Sequence, residues 1–72
     1  MEKLEAVQKV LRFCNTTRDW VTREHSVYFD DFDEQNVDDY EPGGYGELAD
    51  AVIEKGIQNS ILDEEDVDEF LS

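Results

Sequence analysis

Apolar residues recur at helical intervals in three stretches of the chain. Leu4, Val7, Leu11 and Cys14 stand at i, i+3, i+7 and i+10 with Val10 beside them, which predicts an amphipathic helix over residues 2–14. Glu2 and Glu5 in its first turn and Arg12 near its end suit the helix dipole. Residues 45–55 repeat the pattern, with Leu48, Ala49, Val52 and Ile53 on one side and Glu47, Asp50 and Glu54 on the other. Lys55 falls in the last turn, and Gly56 is placed to end that helix. Ile57, Ile61 and Leu62 then supply apolar contacts through a short connection. Asp63 is a natural N-cap for a helix over 64–71, whose narrow stripe is Val67, Phe70 and Leu71.

The intervening segments are less periodic. Asn15-Thr16-Thr17 breaks the first helix and offers Thr16, with Asp19 three positions on, as the cap of a short helix over 17–24. Trp-Val-Thr and Ser-Val-Tyr-Phe are rich in strand formers, so a short hairpin across 20–29 competes with it, and 26–29 stays ambiguous. Residues 30–46 show no period and contain the turn signal Pro42-Gly43-Gly44. Tyr28, Phe29, Phe32, Val37, Tyr40 and Tyr45 are interleaved with acids there, which reads as an acidic loop pinned by its rings. The expected fold is mostly α: one small domain, 1–72, of three to four short helices with an acidic, aromatic-rich loop. The alternative is α+β with a hairpin around 20–29. The expected core is Leu4, Val7, Leu11, Cys14, Trp20, Leu48, Val52, Ile53, Ile61, Val67 and Phe70.

Composition narrows the chemistry. A chain of 72 residues with 39% hydrophobic residues supports one small core, worth about 3–5 kcal/mol of net stability. Cys14 is the single cysteine, so no intrachain disulfide forms, and with one histidine a Cys/His zinc site is not expected. An EF-hand register begun at Asp31 puts Asn36 where glycine is needed and Pro42 where the bidentate glutamate belongs; begun at Asp30 it puts Phe32 at the third position. No metal or cofactor is expected.

Charge changes the picture most. Twenty acids against six bases give a net charge of −14, and the excess is uneven. Residues 1–23 carry five bases and three acids, a net of +2, whereas residues 24–72 carry seventeen acids and Lys55 alone, a net of −16. Seven of those acids fall between Asp30 and Glu41. Such a surface does not bind nucleic acid directly, because phosphate binding requires Lys and Arg, and anionic membranes repel it for the same reason. There is no apolar run near the ~20 residues that span a bilayer, and Met-Glu-Lys-Leu-Glu does not read as a secretory leader, so none is expected. The expected location is cytoplasmic.

An enzyme is not expected. Cys14 lies on an apolar stripe, Glu24-His25-Ser26 is adjacency rather than a triad, and Gly43-Gly44-Tyr45-Gly46 lacks the lysine of a phosphate loop. Asn59-Ser60-Ile61 does not match the modifiable serine site of an acyl carrier. The remaining signal is the acidic surface, which suits mimicry of nucleic-acid phosphates. Carboxylates at i, i+3 and i+4 of a helix lie about 5–6 Å apart, a spacing offered by Glu47, Asp50 and Glu54 and again by Glu65, Asp68 and Glu69. Asp30, Asp31, Asp33, Glu34, Asp38, Asp39 and Glu41 extend the surface through the loop, with Tyr40 and Tyr45 as ring anchors. The expected partner is a basic, nucleic-acid-binding protein such as a nuclease, restriction enzyme, CRISPR effector or polymerase. In size and charge the chain resembles the small acidic inhibitors that phages make against host nucleases and CRISPR effectors. The alternatives are an antitoxin or immunity protein that binds a basic toxin, and an acidic adaptor that docks through residues 63–71.

Overall fold

The computed structural model describes the backbone of residues 1–71 and the side chains of residues 1–68. The chain forms four α-helices: α1 (Lys3–Phe13), α2 (Asn15–His25), α3 (Tyr45–Gln58) and α4 (Glu64–Leu71). Two single 3-10 turns, Phe29–Asp31 and Asn36–Asp38, punctuate the acidic loop between α2 and α3. No strand occurs among the described residues, so the mostly α reading holds and the hairpin across 20–29 is replaced by the second half of α2.

The break between α1 and α2 is one residue long. Cys14 takes extended dihedrals (φ −120°, ψ 93°), its N–H still bonded to Val10 O at 2.8 Å, while its carbonyl accepts from Arg18 N at 3.1 Å. It therefore closes one helix and opens the next, and α2 starts at Asn15, two residues before the predicted start. Thr16 is exposed and caps nothing; Thr17 is buried, its hydroxyl 3.2 Å from Cys14 Sγ. That contact, helped by backbone N–H groups of Thr17 and Thr16, lowers the Cys14 thiol below its ordinary pKa against the opposing effect of burial.

Packing centres on α1 against α3. Ala6, Val7 and Val10 of α1 and Ala49, Val52 and Ile53 of α3 are wholly buried, and Leu11, Val21, Val27, Phe32, Val37, Leu62 and Val67 complete the core. Val7, Leu11, Cys14, Val52, Ile53 and Val67 are buried as expected. Leu4, Trp20, Leu48 and Ile61 are only half-buried at its edge. Phe70 lies outside the described side chains.

Gly56 does not end its helix. It is buried within α3, and a Cβ there would collide with a methyl of Val10 and touch Leu62. The missing side chain is what lets α1 approach α3 at this level. The helix ends two residues later, at Gln58, in a Schellman motif: Ile61 N bonds to Gly56 O at 2.8 Å and Ser60 N to Ile57 O at 3.1 Å, with Ser60 left-handed at φ 61°.

Candidate protein-binding surface

The acidic loop is held by its own polar groups as much as by its rings. Phe32 and Val37 plug into the core, and Tyr45 meets the Phe32 ring edge-on at 5.5 Å. Asp31 Oδ2 accepts from Tyr28 N at 2.8 Å, and Asp33 Oδ1 accepts from Gln35 N (2.9 Å) and Asn36 N (2.7 Å). The Asn36 side chain donates to Asp31 O at 2.6 Å and accepts from Asp33 N at 2.8 Å. Asp39 Oδ1 accepts from Glu41 N at 3.1 Å, and Asp39 O accepts from Gly46 N at 2.7 Å, tying the loop to the start of α3. Asp30, Asp31, Asp33, Glu34, Asp38 and Glu41 are nonetheless exposed, and Asp39 is half-buried.

Lys3 is the residue the charge pattern concealed. It is only 6% exposed, and its ammonium lies 2.8 Å from Asp50 Oδ1. It also donates to the Tyr40 hydroxyl and sits 3.4 Å from Gly46 O. Tyr40 in turn donates to Asp50 Oδ1 at 3.3 Å. Burial alone would depress the Lys3 pKa; hydrogen bonds and attraction from Asp50 and Tyr40 outweigh it and raise the group above 10.5. This node joins α1, the loop and α3.

Three expected interface residues have other tasks. Asp50 is spent on Lys3, so the row Glu47–Asp50–Glu54 is interrupted, and its two exposed members stand about 10 Å apart along the helix axis. That spacing no longer matches the close carboxylate row read from the sequence. Tyr45 is half-buried against Phe32 and Tyr40 belongs to the Lys3 node, although Tyr40 keeps half its surface exposed. Glu65 and Asp68 are exposed on α4; Glu69 lies outside the described side chains.

The two signs of charge stay apart. Among the described residues Lys9, Arg12, Arg18, Arg23 and Lys55 make no ion pair despite the abundance of acids. Arg12 lies over the Phe29 ring at 5.6 Å, Lys55 lies over the Trp20 ring at 4.6 Å, and Arg18 donates to Asn15 Oδ1 at 2.8 Å. Among the described residues no three His, Cys, Asp or Glu side chains are grouped as metal ligands, and no helix is long and apolar enough to cross a membrane.

A cleft of about 470 Å³ opens beside the loop, between α2 and α3, with Trp20, His25, Tyr45 and Leu48 on its walls. Trp20 and His25 stack edge-to-face at 4.9 Å. No family model matches the chain, and no curated protein or solved structure is significantly similar to it.

Proposed function

We propose that this chain is an acidic inhibitor that occupies the basic groove of a nucleic-acid-binding protein, with no catalytic chemistry of its own. The observation that carries this reading is the segregation of charge: Asp50 neutralises Lys3 internally, while Asp30, Glu34, Asp38, Glu41, Glu47, Glu54, Glu65 and Asp68 are exposed and form no ion pair among the described residues. A carboxylate surface left unpaired in this way costs self-repulsion in the free protein and regains it against a cationic surface. Such association is fast and weakens steeply with salt. Tyr28, 62% exposed, and Tyr40 add ring area beside the acids.

The test is capture from cell lysate followed by competition. The reading expects a nucleic-acid-binding protein, retained at low salt, released as salt rises, and displaced by duplex DNA or by RNA. Simultaneous binding of partner and nucleic acid would overturn groove occupancy.

A further inference from the structure

α3 carries a second apolar stripe at the edge of the core, packed against it on one side and open on the other. Ala49, Val52 and Ile53 are wholly buried, whereas Tyr45, Leu48 and Ala51, at i, i+3 and i+6, are only half-buried. They line the cleft that Trp20 of α2 faces. Gly43 and Gly44 leave one rim without side chains, and Glu47 brings a carboxylate to the opening. That carboxylate is exposed and has no hydrogen-bond or ion-pair partner among the described residues. The volume, about 470 Å³, lies in the range of sites that take small organic groups.

Charge complementarity decides the occupant. Lys55 lies over the Trp20 ring at 4.6 Å, but the cleft's own lining carries Glu47 and no lysine or arginine, in a chain of net charge −14, so a cationic group is the one drawn to it. Aromatic walls together with one carboxylate favour guanidinium over ammonium, because a guanidinium is planar, stacks on rings and pairs with a carboxylate through two N–H groups. The apolar stem of such a side chain matches Leu48 and Ala51. We propose that this cleft takes an arginine side chain from the protein partner, paired with Glu47 and packed between Trp20 and Tyr45. The inference deepens the proposed function and rests on its basic partner.

Trp20 is the chain's one tryptophan and reports on the cleft directly. The probe is the peptide acetyl-Leu-Arg-Leu-amide, with citrulline or lysine replacing arginine in the controls. Titration at low salt should give a saturable change in Trp20 fluorescence, about tenfold weaker for the citrulline peptide and weaker also for lysine. E47Q should weaken arginine-peptide binding by about tenfold, whereas E64Q, on the first turn of α4, should leave it unchanged. A51L should fill the cleft and abolish binding with the helical circular dichroism retained. Absence of a saturable response, equal binding of citrulline, or indifference to E47Q overturns the arginine site. The peptide experiment does not use the partner, so an arginine site that fails while a salt-sensitive groove-binding partner is recovered refutes the cleft alone. A cleft that binds arginine while no such partner is found refutes the groove reading alone.

Discussion

The ammonium of Lys3, in the first turn of α1, lies 2.8 Å from a carboxylate oxygen of Asp50, in the middle of α3. The two residues are 47 positions apart in the chain, and Tyr40 of the loop bonds to both. A cation from the weakly basic first third is thus fixed inside the acidic remainder. The partners differ in exposure, 5% for the Lys3 side chain against 30% for Asp50, so removing either leaves the other partly desolvated and unpaired.

Lys3→Met should destabilise the fold by about 1–3 kcal/mol, the cost of an unsatisfied charged partner, measured by urea unfolding. Adding Asp50→Leu to it should recover part of the loss, since a buried pair replaced by apolar groups is often neutral. The pH dependence has a definite sign. Lys3 titrates higher in the folded than in the unfolded chain, so its contribution is complete below 10.5 and is lost as pH rises through the raised folded value. The stability difference between the parent and Lys3→Met should therefore shrink above 10.5.

Gly56→Ala tests the close approach of α1 and α3. Helix propensity alone favours alanine by about 1 kcal/mol. The added Cβ collides with wholly buried Val10, and overpacking of this kind costs about 1–3 kcal/mol. The expected net effect is a lower melting temperature, with partial rescue when Val10→Ala makes room.

Ser60→Gly should act in the opposite direction. Ser60 holds the left-handed position of the motif that ends α3, at φ 61°, where glycine avoids a Cβ penalty of about 1 kcal/mol. A rise in urea midpoint without a change in slope is the expected result.

The combined neutralisation of Asp30, Glu34, Asp38 and Glu41 to their amides spares the carboxylates that bond to the loop backbone. It should leave the fold equally or more stable because self-repulsion falls. Binding to the proposed basic partner should weaken by at least about tenfold and lose part of its salt dependence, read by calorimetry at two ionic strengths. Asp33→Asn is expected to behave differently, since Asp33 Oδ1 is a double acceptor for Gln35 and Asn36.

Salt itself should stabilise the free protein. At a net charge of −14, screening of repulsion between exposed acids outweighs screening of the cross-element pair at Lys3. The melting temperature should rise between low and moderate sodium chloride.

The 3.6-residue period of Val7, Val10, Leu11, Val52 and Ile53 was enough to place α1, α3 and their facing stripes. The interruption at Cys14 was not legible, because Asn, Thr and Thr suggest a break by composition while the chain breaks at one residue through its dihedrals alone. Gly56 carries an ambiguous signal: glycine serves both to end a helix and to admit a neighbour, and only packing against Val10 distinguishes the two. In the candidate site, the exposure of Asp30, Glu34, Asp38 and Glu41 followed from the density of charge. The reassignment of Asp50 did not, because a pair separated by so much chain leaves no local pattern. The cleft was not legible, because Leu48 reads as core and Tyr45 as a ring of the loop, and only the fold sets them beside Trp20.

The hydrogen bonds of Asn36 and the bond from Gly46 to Asp39 have an outcome of a different kind. They fix the loop's backbone before anything meets it, so its carboxylates arrive with their spacing already set and little ordering left to occur on contact. An uncharged residue accordingly governs a charged surface: replacing Asn36 by alanine would free the loop, raise the entropy lost on encounter with the proposed partner and slow docking to it, with the net charge unaltered.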